Sequence, residues 1–181
     1  MRILFRSLQS RGTTSVGQAP PLTPATRAVI FAFMQNYMLS ALAEARAAAE
    51  RGEVPVGAVL VDSRSGNIIA RAGNRTEELN DPTAHAEILV IRQAGDQQGS
   101  PRLLHYDLYV TLEPCPMCAA AISLARIRRL YFGAYDAKGG GVDHGARIFD
   151  HKTCHHRPEV IGGHCETEAA GLLRKFFNAR R

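Results

Sequence analysis

The sequence predicts a layered α/β domain. Three observations carry that prediction: short apolar runs alternate with segments of helical spacing, the first two runs flank a Ser-Gly turn, and 45% hydrophobic content in 181 residues suffices for one sizeable core. Such alternation leaves the first strand pair antiparallel and joins the later strands by crossovers. No apolar run approaches the ~20 residues of a membrane span, so a soluble protein with no membrane contact is expected.

In chain order, residues 1–33 are expected to lie outside the folded domain, which spans 34–181. The stretch is rich in Ser, Thr, Pro and Arg and carries Arg2, Arg6, Arg11 and Arg27 with no acid. A misassigned start, an Arg-rich transit peptide and a disordered tail all fit; the first is favoured because Met34 stands just ahead of the first periodic element. From Asn36 to Arg51, Tyr37, Met38, Ala41, Leu42, Ala45 and Ala48 mark an apolar stripe at helical spacing, stopped by Gly52. Val56–Asp62 and Asn67–Ala72 read as strands around the turn 63–66. Asp81-Pro82-Thr83 precedes the apolar run 88–91, which predicts a helix with His85 and Glu87 in its first turn and a stop at Gly95. Asp107–Thr111 is a short buried strand delivering the chain to Cys115. A helix from Cys115 to about Ala125 and a fourth strand over Arg128–Gly133 follow. Residues 136–141 form a flexible loop, and Glu166–Arg181 closes the chain as a helix with Leu172, Leu173, Phe176 and Phe177 on or near one face.

The chemistry is concentrated in His85-Ala86-Glu87 and Pro114-Cys115-Pro116-Met117-Cys118. Imidazole nitrogen and thiolate sulfur are zinc donors, and three protein ligands leave a fourth position for water. Cys115 and Cys118 share a helix face at i, i+3, near a positive helix start that favours thiolate. Two helix N-termini would therefore meet at one ion. Glu87 suits proton transfer better than ligation, because at i+2 it does not share the direction of His85. A Cys-x-x-Cys pair alone could equally be a redox pair or half of a structural zinc site. The His-Ala-Glu before it turns the reading to catalytic zinc, since the whole is the pattern of zinc deaminases.

Four cysteines, two of them in the metal pattern, argue against a disulfide framework and for a reducing, cytoplasmic interior. Net charge is +5, but residues 34–125 carry −4 and residues 126–181 carry +5, so a polyanion contact is sought in the C-terminal third. Aromatics interleaved with Arg174, Lys175, Arg180 and Arg181 suit stacked bases and phosphates, although core packing explains either phenylalanine alone. Six histidines from His105 to His164, among them His151, His155, His156 and His164 near Cys154 and Cys165, make a second metal site conceivable, but they lie in loop-like sequence without fixed helical spacing.

From about residue 35 to the C-terminus the chain resembles the bacterial tRNA adenosine deaminases of the cytidine/deoxycytidylate deaminase superfamily. The resemblance rests on Glu53-Val54-Pro55-Val56-Gly57, Gly73-Asn74-Arg75, residues 81–87, residues 109–118, Asp136-Ala137-Lys138 and the closing Phe176-Phe177 with Arg180-Arg181. It implies a three-layer α/β/α cytidine-deaminase-like fold with a mixed five-stranded central sheet, assembled as a homodimer. It further implies hydrolytic deamination of the wobble adenosine of a tRNA anticodon to inosine. By that likeness His85, Cys115 and Cys118 hold one zinc per subunit and Glu87 shuttles the proton. Asn74 would bind the purine, with Val56, Leu112 and the Ala86 backbone shaping its pocket. Asp136 and Lys138 would meet the sugar and backbone, and Phe177, Arg180 and Arg181 the flanking nucleotides of a splayed RNA loop. DNA is not expected as a partner. Rival readings are a small-molecule deaminase for guanine or a free nucleoside, and a zinc-stabilised RNA-binding or partner subunit without turnover; Glu87 speaks against the latter.

Overall fold

Alternation along the first strand, β1 (Gly57–Asp62), decides the layering: Ala58 and Leu60 enter one apolar core while Val59 and Val61 enter another on the opposite face. The structure, a computed structural model, describes residues 23–180, so Arg181 and the expected extension before Thr23 lie outside the described residues. Ahead of β1 runs α1 (Pro24–Glu50); after it come β2 (Ile68–Gly73), a single-turn helix α2 (Thr76–Leu79), α3 (Ala86–Gln98), β3 (Tyr106–Leu112), α4 (Pro116–Ala125) and β4 (Arg129–Ala134). A 3-10 turn (Ile148–Asp150), β5 (Glu159–Ile161) and α5 (Glu166–Asn178) complete the chain.

The five strands form one mixed sheet in the order β2-β1-β3-β4-β5. β1 pairs antiparallel with β2 and β3, whereas β3–β4 and β4–β5 are parallel. Ala86, Val90 and Ala94 of α3 and Ala119 and Ile122 of α4 fill the core on one face, and Met38, Ala41 and Leu42 of α1 with Ala169 of α5 fill the other. The expected three-layer α/β/α arrangement is therefore present. Glycine permits its closest approach: a Cβ on Gly57 would clash with Ala41 O and Ala45 N, so β1 presses against α1 only because that position is bare.

Several boundaries differ from the sequence reading. α1 begins at Pro24, ten residues before Met34, with Pro at the helix start where its missing N–H costs nothing. Gly95 does not stop α3, which runs to Gln98 and closes on Gly99 in the left-handed conformation. β5 has no periodic sequence signal; its three residues pair with Arg129–Tyr131 next to Gly162-Gly163. The segment 136–141 is not loose, because Gly140 N–H donates to Asp136 O at 3.0 Å and Gly141 N–H to Pro114 O at 2.8 Å.

Candidate metal centre and active-site pocket

His85 and Cys115 are not inside the first turns of their helices; each is the cap residue. His85 has an extended backbone (φ −71, ψ 150) and its carbonyl accepts the Leu89 N–H, opening α3. Cys115 (φ −67, ψ 169) does the same for α4 through Ala119 N–H. Pro116 is the reason, because its ring pushes the preceding residue out of the helical region. The two helix starts face one another, as the spacing implied, and Cys118 reaches back from the first turn of α4.

His85 Nδ1 lies 3.6 Å from Cys115 Sγ and 3.5 Å from Cys118 Sγ. Tetrahedral zinc with ordinary Zn–N and Zn–S bonds sets its nitrogen and sulfur ligands about 3.6 Å apart, so the donor set fits that ion. All three donor atoms lie within 4.8 Å of one another. Among the described residues no other group of three possible ligands comes together. The Cys115 thiol is held down to about 4, first by hydrogen bonding from Cys118 and then by His85 and the Cys118 backbone N–H. Its bond to Cys115, and then burial, push the Cys118 thiol up, a preference for the neutral form that a divalent ion reverses.

Glu87, in the first turn of α3, is 3% exposed, and its Oε2 is a buried side-chain oxygen with no hydrogen-bond partner among the described residues. Burial pushes its carboxyl up from the usual range. An orphaned buried carboxylate oxygen beside a metal-ligand cluster is an unusual expense for a fold.

The pocket above these residues has a volume of about 240 Å³, and Val56, Asn74, His85, Glu87, Leu112 and Asp136 are among its walls. Asn74 is buried and its Oδ1 accepts the Ala86 N–H at 2.9 Å, which fixes the amide's orientation. Ala86 itself turns into the core and acts on the pocket through that bond. Lys138 does not line this pocket. It lines an adjoining groove with Arg174, Phe177 and Arg180 of the C-terminal segment, while Asp136 and Gly139 line the pocket itself. The phenylalanine pair divides its work: Phe176 is buried and Phe177 is 48% exposed. Arg180 is partly committed, with its guanidinium 3.6 Å over the Phe176 ring and donating to Gly52 O at 3.2 Å. Arg181 lies outside the described residues.

Two residues that the sequence reading did not single out hold the pocket's flanks. Glu53 accepts the Thr76 hydroxyl and the Glu77 and Glu78 N–H groups at 2.9–3.0 Å, anchoring the segment after Asn74. Glu113 receives N–H groups from the loop that carries Asp136. Both stand in the family-like runs, yet a carboxylate that binds backbone has no partner residue type to betray it. Two of the loop histidines bond backbone carbonyls: His156 Nε2 bonds Ile127 O and His151 Nε2 bonds Ala146 O. Arg128 and Arg129 are paired with Asp107 and Glu159.

A His-Cys-Cys donor set at two facing helix starts, with a buried carboxylate beside it that keeps one oxygen unpartnered, on an α/β/α frame, defines a zinc-dependent deaminase. Residues 32–134 match the cytidine and deoxycytidylate deaminase zinc-binding region. The tRNA-specific adenosine deaminase of Agrobacterium fabrum is 62% identical over 146 residues, covering 81% of this chain and 95% of that protein. That of Bacillus subtilis is 47% identical over 145 residues, covering 80% and 89%. A solved structure from a study of A-to-I editing by tRNA:A34 deaminases superposes with a TM-score of 0.74 at 62% identity, covering 76% of this chain and 99% of that one. The chain belongs to the tRNA-specific adenosine deaminases of the cytidine and deoxycytidylate deaminase family.

Proposed function

We propose that the protein deaminates the wobble adenosine of a tRNA anticodon by hydrolysis, giving inosine and ammonia. The observation that carries this reading is that one short stretch serves two cavities: Asp136 and Gly139 line the Glu87 pocket, and Lys138 between them lines a groove with Arg174, Phe177 and Arg180. A free base needs only the pocket; a nucleotide within an RNA loop needs the cationic, aromatic groove as well.

Zinc, when bound by His85, Cys115 and Cys118, supplies Lewis acidity that makes a water nucleophilic at neutral pH. The chain's own residues do the rest. Asn74, its amide fixed by Ala86, meets the purine edge, and Val56 and Leu112 pack the ring faces. Glu87 takes the proton released as the C6–O bond forms and passes it to the amino nitrogen as the C6–N bond breaks. Asp136 and Lys138 meet the sugar and backbone of the extruded nucleotide. Phe177, Arg180 and Arg181 hold its neighbours.

The remaining elements of the reading are a homodimer and a cytoplasmic location. Leu124 on α4 is 74% exposed beside Ala121 and Ile91, an apolar patch suited to a second copy. Among the described residues no helix is long and apolar enough to cross a membrane.

The deciding experiment is inosine formation on an anticodon stem-loop with adenosine at the wobble position, beside free adenosine and guanine. Inosine in the stem-loop alone supports the reading. Turnover of a free base or nucleoside alone replaces the substrate while keeping the zinc chemistry.

A further inference from the structure

Glu113, at the end of β3, is 2% exposed and lines the deaminase pocket, yet it is no second proton carrier. Its oxygens are saturated. Oε1 accepts the N–H groups of Val142, Asp143 and His144 at 2.9–3.3 Å, and Oε2 accepts Asp136 N–H at 3.0 Å and faces His144 Nδ1 at 2.8 Å. A carboxylate only accepts, so His144 Nδ1 is the donor. All five contacts come from residues 136–144, 23 to 31 positions along the chain.

The glycines of this segment are shaped to the same carboxylate. A Cβ on Gly140 would stand 2.5 Å from Glu113 Oε1, and one on Gly141 would stand 2.6 Å from Pro116 N at the start of α4. The backbone therefore closes over Glu113 on one side and backs the Cys115–Pro116 helix start on the other. Within it Asp136 Oδ1 accepts the Lys138 and Gly139 N–H groups at 3.0 and 2.9 Å, so Asp136 and Lys138 are set by one turn.

We propose that Glu113 is a positioning residue for the RNA substrate: its saturated carboxylate clamps residues 136–144 into one wall and so fixes where Asp136 and Lys138 meet the nucleotide. The inference rests on the reading of those two residues as substrate contacts.

The test is Glu113→Gln, whose amide must turn an NH2 toward either the Oε1 donors or the Oε2 donors. On the stem-loop we expect KM to rise about tenfold or more and kcat to fall less than about threefold, the pattern of lost binding. Zinc content should stay at the wild-type level. In a double-mutant cycle with Lys138→Ala the two effects on KM should be non-additive, because one acts through the other. Hydrogen exchange should show loss of protection over 136–144 with α4 still protected. Should Glu113→Gln not fold, His144→Ala removes one of the five contacts and should raise KM in the same direction with the same coupling to Lys138. Additive effects on KM, or a fall in kcat at constant KM, overturn the proposal, as does unchanged exchange over 136–144. If the wild type acts on a free base instead, the tRNA reading falls and exchange still decides the clamp; KM and the cycle are then measured on that base.

Discussion

Glu87 and Glu113 line one pocket in opposite conditions: Glu113 has both oxygens filled with N–H donors, and Glu87 keeps Oε2 without a partner although both side chains are buried. A fold that can satisfy one carboxylate so fully leaves the other open only where the open one has work to do. The contrast is what the proposed roles require, one carboxylate holding backbone and one free to move protons.

Glu87→Ala should therefore keep the fold and the metal and lose activity by ~100-fold to 10,000-fold, the range of a positioned acid/base. Zinc content by atomic absorption, beside single-turnover rates, checks both halves; near-normal turnover would sink the assignment.

Removing the metal should do more than stop catalysis. His85 and Cys115 cap α3 and α4, so chelation leaves two thiols and an imidazole crowded where an ion belonged. The chelated protein should melt at a lower temperature than the loaded one and recover on addition of zinc. Identical melting curves would show that the ion contributes nothing to the fold.

Arg174→Ala and Arg180→Ala should separate two roles. Arg174 lines the groove beside Lys138 and forms no ion pair among the described residues, so its loss should reduce the salt slope of RNA binding by about one. Arg180 also stacks on Phe176 and bonds Gly52, so its loss should cost about 1 kcal/mol of stability besides weakening RNA binding. Urea unfolding and salt titrations of the two variants, run together, give the comparison.

His164 supplies a pH dependence. Burial, edge-on against Tyr131, pushes its pKa below the usual histidine value. The unfolded chain then binds the proton more readily than the folded one, so this contribution is complete above the unfolded pKa of ~6.5 and fades as pH falls through it. His164→Phe should flatten the decline in stability between neutral and mildly acid pH. An unchanged decline would place the titrating group elsewhere.

The metal site was legible because its information is local: two cysteines at i, i+3 and a His-x-Glu at a helix start determine geometry wherever the helices go. The sheet was legible strand by strand for the same reason, since four strands carry their own apolar runs. β5 was not, because three residues at the sheet edge need only the neighbouring strand's hydrogen bonds. Glu53 and Glu113 were hidden for a related reason: their partners are mostly backbone N–H groups, which every residue but proline offers. The split between Phe176 and Phe177 depends on which side of α5 meets α1 and the sheet, a fact of packing that adjacent identical residues do not disclose. Gly95 misled because helix ends are set by what can close them, and Gly99 was better placed to do so.

Residues 136–139 belong at once to the base pocket and to the groove along α5. On the proposed function, one stretch of backbone thus writes two parts of the recognition code, the base at the reacting centre and the strand leading to it. Natural drift or laboratory selection that re-aims this stretch toward a new nucleobase will alter sequence context with it. Retuning this enzyme toward another base through that stretch will call for compensating changes in the tail of α5.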